Sequence, residues 1–168
     1  RRPVSMTPPN EIRPAVPADH DAILAVMRPW NMHHVPSAEM PRIELDRFFV
    51  ATVDGRVVGA AGYTFLGPGH GKTTLLGVLP EFGNLGIGRA LQDRRVEAMA
   101  AQGATKITTN ADRPETIVWY KRNWGYREVG RLPKVHSFGD DSVAEWTTLE
   151  MDVLAWLEQP RIQADGAL

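Results

Sequence analysis

The stretch Val78-Leu79-Pro80-Glu81-Phe82-Gly83-Asn84-Leu85-Gly86-Ile87-Gly88-Arg89-Ala90-Leu91 joins a strand-like apolar run, a glycine-rich turn and the start of a helical pattern without a gap. Its chemistry suits an anion. The first amides of a helix have no carbonyl partners and point outward with the positive end of the helix dipole. Glycines there remove the side chains that would hold a phosphate away. A second chemical group lies further on, in Ile117-Val118-Trp119-Tyr120-Lys121-Arg122-Asn123-Trp124-Gly125-Tyr126. A phenol such as Tyr120, with a reference pKa of about 10, is protonated at neutral pH and can donate a proton or a strong hydrogen bond. Each feature also has a plain structural use. The glycines would serve any tight strand-to-helix turn, and Tyr120 would pack with Trp119 and Trp124 in an aromatic core.

Spacing sorts the turn among the phosphate-binding motifs. A dinucleotide fingerprint wants a small residue three positions beyond its second glycine, but Gly86-x-Gly88 leads to Leu91. A Walker loop needs four residues between its two glycines and a helix after them. Gly67-Pro68-Gly69-His70-Gly71-Lys72-Thr73 has three and leads into a strand-like run. Both are set aside.

A third pattern fits. Val78-Leu79-Pro80-Glu81 followed by Gly86-Ile87-Gly88-Arg89-Ala90-Leu91 resembles the acetyl-CoA turn of the GNAT family of N-acetyltransferases, written Gln/Arg-x-x-Gly-x-Gly/Ala. Thr108-Thr109-Asn110 and the segment from Ile117 to Tyr126 resemble that family's later strand and Tyr-bearing helix. The resemblance implies an acyl-CoA N-acyltransferase fold and an acetyl-CoA-dependent transfer of the acetyl group directly to a primary amine. It further implies that Gly77, Val78, Leu79, Gly83, Asn84, Leu85, Gly86, Ile87, Gly88, Arg89 and Asn110 contact the cofactor. In direct transfer the departing CoA sulfur must receive a proton, and the resemblance gives that role to Tyr120. Two departures stand out. Gly83 occupies the position that the family usually gives to Gln or Arg, and Lys72 occupies the one where many members carry a glutamate base.

The base therefore stays open among a water chain, His33, His34, Glu39 and Glu44 on one side, and His70, His136, Asp140 and Asp141 on the other. His33, His34, Glu39, His70 and His136 are the candidates for contact with the acceptor. Adjacent histidines lack the one-face spacing of a metal pair, and no metal site is expected. Two rival readings remain: an acyltransferase using a longer acyl-CoA, and a CoA-binding regulatory domain without catalysis, for which Lys72 is the argument.

These groups need a scaffold, and the pattern supplies one. Glu11 to Ala15 reads as an edge strand. A helix follows, with Ala22, Ile23, Val26 and Met27 on one face and Pro29 at its end. Phe48 to Val53 and Arg56 to Phe65 flank Asp54-Gly55, a type I′ turn dipeptide, and predict an antiparallel hairpin. A loop over 67–71 and a strand over Thr73 to Leu79 follow. The second half alternates: a helix from Gly86 to Gln102, a strand from Thr105 to Thr109, and a helix from Asp112, whose Asp112-Arg113-Pro114-Glu115 resembles a capping box. Strands over Tyr126 to Arg131 and Ala144 to Met151 and a helical turn over Val153 to Leu157 complete an α/β chain. The fold class is a mixed, mostly antiparallel central sheet flanked by helices.

Composition agrees and excludes. With 168 residues, 43% apolar and 23% charged, the chain suits one globular domain. That domain is expected over 11–157, after a flexible Pro-rich extension over 1–10 and before a tail over 158–168. No cysteine is present, which removes disulfides, thiolate metal sites and cysteine nucleophiles. A net charge of −1 gives no field to attract nucleic acid or an anionic membrane, and no run is long and apolar enough to span one. The expected setting is soluble and cytoplasmic. The expected partner is a small-molecule amine, and the resemblance allows a homodimer.

Overall fold

A computed structural model of the chain describes residues 11–33 and 42–159. Its element order is β1 (Glu11–Pro14), α1 (His20–Met27), β2 (Phe48–Val53), β3 (Arg56–Gly67), β4 (His70–Val78), α2 (Ile87–Ala101), β5 (Lys106–Ala111), α3 (Pro114–Trp124), β6 (Arg127–Pro133), β7 (Glu145–Asp152) and α4 (Val153–Glu158). Short 3-10 turns cover Arg28–Trp30 and Leu45–Arg47. The strands form one seven-stranded sheet in the order β1-β2-β3-β4-β5-β7-β6. Every neighbouring pair is antiparallel except β4 and β5.

The β2–β3 hairpin turns where the Asp-Gly pair predicts, with Asp54 and Gly55 both at positive φ as a type I′ turn requires. The middle of β3, from Val58 to Tyr63, is buried without alternation because helices cover both faces there. On one face Ile23 and Met27 of α1 pack on Val50, Ala60 and Leu75. On the other, Ile87 and Leu91 of α2 pack on Ala51, Val58 and Ala61. A third cluster joins α2, α3 and α4 to β5 and β7 through Met99, Ile107, Tyr120, Trp124, Leu149 and Trp156.

Two sequence expectations change. The loop expected over 67–71 is only a tight connection at Pro68-Gly69, with Gly67 already paired to His70. His70, Gly71 and Lys72 therefore belong to β4. Nor does Asp112 cap α3. The helix begins at Pro114 with Arg113 as its N-cap, held extended at ψ 135° as a residue before proline must be. Asp112 is one residue too early and takes other partners.

Among the described residues no helix is long and apolar enough to cross a membrane, and no group of His, Asp or Glu could hold a metal ion. The 1–10 extension, His34, Glu39 and nearly all of the 158–168 tail lie outside the described residues.

Candidate active site

The parallel pairing of β4 and β5 covers only His70↔Lys106, Gly71↔Ile107 and Lys72↔Thr108. Beyond it the two strands are joined by the Thr73 hydroxyl donating to that of Thr109 at 2.5 Å. They then part around a cleft of about 580 Å³, lined by Leu76, Gly77 and Val78 on one side and Thr109, Asn110 and Ala111 on the other. Separated strands leave backbone groups without a ladder partner, and such groups must find another. The indole N–H of Trp30 donates to the Val78 carbonyl at 2.8 Å, one such solution.

Gly83 and Gly88 line one end of this cleft. Gly86 is the N-cap of α2, in the left-handed region at φ 84°, and a Cβ there would meet nothing within 4 Å. Its carbonyl accepts from the Ala90 amide, so the amides of Ile87, Gly88 and Arg89 precede the first helical bond. The turn thus offers three backbone donors at the positive end of a 15-residue helix, beside open space. This geometry fits a pyrophosphate. Asn84, Leu85 and Arg89 are exposed on the same turn, whereas the side chain of Ile87 is buried in the core, leaving only its backbone to meet a ligand. Leu79 likewise packs its side chain into the core.

Tyr120 lines the cleft from α3 and is 5% exposed. Its ring meets Trp119, Trp124 and Tyr126 with centroids 5.0, 6.0 and 5.1 Å away, so the aromatic packing is real. The hydroxyl is not spent in that packing. It accepts a hydrogen bond from Arg95 at 3.0 Å. Asn110 lines the cleft nearby, its amide oxygen accepting from the Thr148 hydroxyl at 2.7 Å.

The far end is built from side chains and a loop. The Asn31 carbonyl accepts from the Gly139 amide at 2.9 Å, and the Asn31 side chain donates to the Gly139 carbonyl and the Ser137 hydroxyl, both at 3.1 Å. Asp112 accepts from Lys134 at 2.9 Å and from the Asp140 amide at 2.8 Å. Lys134 also donates to the Phe138 and Asp140 carbonyls and lies over the Trp146 ring. A Cβ on Gly139 would come within 2.6 Å of the Asp112 carboxylate, so the loop approaches this closely only because residue 139 is glycine.

The candidate acceptor residues fare differently. His70 projects from β4 and bonds the Thr108 hydroxyl at 2.7 Å, outside the cleft wall. Burial, reinforced by the Lys106 charge, holds its imidazole below the usual histidine range and favours its neutral form. Lys72 stands two residues on, its ammonium pushed down by burial and then by Arg95. His136 lines a separate shallow hollow with Lys134 and Asp141, and His33 is not in the cleft wall. Asn31, Met32, Gly139 and Asp140 line it instead.

Residue type alone does not point to Arg95 or Asn31, and it marks Asp112 only as a helix cap. For Arg95 a signal existed. It lies four positions after Leu91 and four before Met99, on the face that α2 buries, where a charge is out of place.

A model of the acetyltransferase (GNAT) family matches residues 19–126, more than half of the chain and all of the elements that build the cleft between the turn and Tyr120. The chain belongs to the GNAT acetyltransferase family. Solved structures of similar fold include Ard1 from Thermoplasma volcanium, at 21% identity and TM-score 0.67, with 84% of this chain and 96% of that one covered. The ribosomal-protein-S18-alanine N-acetyltransferase of Escherichia coli is similar at 14% identity and TM-score 0.67, with 85% and 93% covered. N-acetylglutamate synthase from Neisseria gonorrhoeae, complexed with coenzyme A and L-arginine, is similar at 20% identity and TM-score 0.65. There 84% of this chain covers 32% of that one. At such identities the likeness is one of fold, and this GNAT chain's site rests on its own residues.

Proposed function

We propose that this GNAT domain transfers an acetyl group from acetyl-CoA directly to the primary amine of a small molecule, with Tyr120 as general acid to the leaving sulfur. One observation carries the reading: the glycine turn that starts α2 and a buried phenol share one cleft, which Gly83, Gly88 and Tyr120 all line. Acetyl-CoA supplies a thioester whose carbonyl carbon accepts the amine and whose sulfur leaves as a thiolate. The Ile87, Gly88 and Arg89 amides hold its pyrophosphate. The parted edge of β4 from Leu76 to Val78 lies along the pantetheine arm, where the Val78 carbonyl keeps one lone pair beside Trp30. Tyr120 delivers its proton to sulfur from a hydroxyl whose ring is packed among aromatic neighbours.

The braced far end favours a small acceptor. Hydrogen bonds tie Asn31 to the 137–141 loop there, which leaves less room for a peptide than for a small amine. Asp112 and Asp140 line that end with their carboxylates already engaged, Asp112 by Lys134 and Asp140 by Ser142 and Arg113. A compartment that supplies acetyl-CoA is required, so a cytoplasmic location goes with this reading.

Lys72, in the position of the customary glutamate, favours a second reading, a CoA-responsive domain without turnover. Acetyl-CoA titrated by calorimetry, followed by thiol release against glucosamine, amino acids, spermidine and a short peptide, separates the two. Binding with release that depends on one small amine is the expected outcome. Absence of binding by folded protein would overturn both readings, and binding without release from any amine would leave the regulatory one.

A further inference from the structure

Arg95 is 1% exposed, in the middle of α2, directly beneath the place where the β3–β4 ladder slips. Ala61 pairs with Leu76 but Tyr63 with Thr73, so the register shifts across Gly62. The guanidinium fills that fault. It donates to the Gly62 carbonyl at 3.0 Å and the Leu75 carbonyl at 2.9 Å, and its Nε donates to Gln92 at 2.5 Å. Its remaining arm donates to the Tyr120 hydroxyl oxygen at 3.0 Å. All four acceptors are uncharged, and a buried cation held only by neutral dipoles is costly unless it has a use.

The use follows from donor inventory. A guanidinium has no acceptor, so the phenol oxygen must accept, and the phenolic hydrogen must point elsewhere. None of the hydrogen bonds among the described residues takes it, and Tyr120 lines the cleft. Loss of the proton would leave a phenolate already facing a fixed cation, with no reorganisation needed.

Resting on the general-acid reading of Tyr120, we propose that Arg95 is its positioning residue: it turns the phenolic hydrogen toward the leaving sulfur and stabilises the phenolate that results. The step balances. The amine nitrogen bonds the carbonyl carbon, the C–S bond breaks with its electron pair going to sulfur, and sulfur takes the Tyr120 proton. The nitrogen loses a proton to water, and water restores the phenol. The net products are the amide and free CoA thiol.

A double-mutant cycle tests this, using Arg95→Met, Tyr120→Phe and both together, assayed with whichever amine turns over fastest in the panel above. Tyr120→Phe is expected to lower kcat at least about 100-fold. Arg95→Met alone is expected to lower kcat about 10- to 100-fold with the KM for acetyl-CoA within about twofold, and to add nothing in the Tyr120→Phe background. Equal losses in the two backgrounds, or no loss in either, would overturn the proposal, because a brace for the β-fault acts whether or not the phenol is present. If Tyr120→Phe has no effect, the general-acid reading itself has failed. Should Arg95→Met not fold, Arg95→Gln carries the same two-background comparison, since its amide can keep a carbonyl contact without the charge. Arg95→Lys is expected to restore part of the lost kcat in the Tyr120 background alone.

Discussion

The two ends of the cleft are built from different materials. At the turn, recognition is made of backbone: the amides of Ile87, Gly88 and Arg89 and a glycine at φ 84° that leaves space before them. At the far end it is made of side chains, with Asn31 and Asp112 reaching across to the 137–141 loop. A backbone site tolerates changes at the residues around it, provided the turn keeps its conformation. A side-chain site fails when one member is lost, because each buried polar group leaves another unpaired. The cofactor end should therefore be robust except at its glycines, and the acceptor end fragile throughout.

Asp112→Asn probes that difference most severely. The Asp112 and Lys134 side chains are only 12% and 7% exposed, and breaking such a pair leaves an uncompensated charge. A loss of about 3–5 kcal/mol in denaturant unfolding is expected. The acceptor KM should rise while the acetyl-CoA Kd stays within about twofold, and a change in Kd instead would mean that the two ends are coupled. Gly86→Val should reverse the pattern. A β-branched residue is strained in the left-handed region and its methyls would enter the anion's space. Calorimetry is expected to show acetyl-CoA bound about tenfold more weakly, or about 1.4 kcal/mol, and an unchanged Kd would make the turn merely structural.

Lys72→Met tests the paired stretch of β4 and β5 from which the cleft opens. Burial lowers the Lys72 ammonium from its ordinary value of 10.5, so folding disfavours its charged form. The stability linked to this group is present above the unfolded value near 10.5 and is lost as pH falls through the lower folded value. Removing the amine should therefore raise Tm at pH 7 by about 2 °C, with the gain shrinking as pH rises toward 10.5. A fall in Tm at pH 7 would mean that Lys72 has a partner worth more than its desolvation. The smallest effect is expected from Gly83→Arg, which returns the side chain that the GNAT pattern usually has. Its Cβ would lie 3.3 Å from the Pro80 carbonyl, close enough to require a slight shift of the turn. Acetyl-CoA is expected to bind about threefold more tightly, and weaker binding would show that the shift outweighs the added charge.

Much of the scaffold was legible because it is written in local rules. Asp54-Gly55 specifies its turn, and the helical pattern after Gly86 and the stop near Gly103 need only neighbouring residues to act. The capping of α3 was misplaced by one residue because Pro114 imposes extended backbone on Arg113, a constraint that outweighs the capping chemistry of Asp112. His70 and His136 were sensible acceptor candidates by chemistry alone. Their distance from the cleft depends on the two-residue turn before β4 and on which side of the 134–144 loop faces outward, and neither is a property of the residue type.

By itself the sequence determined the backbone site: a strand, a glycine turn and a helix start in direct succession leave amides unpaired whatever the rest of the fold does. It also determined that a phenol stands on the following helix. Only the tertiary structure decided that Arg95 meets that phenol, that Trp30 takes the Val78 carbonyl, and that Asn31 and Gly139 meet at the far end. These contacts join residues far apart in the chain. Their partners are chosen by the parting of β4 from β5 and by the slip across Gly62, which arise when the whole sheet packs against its helices.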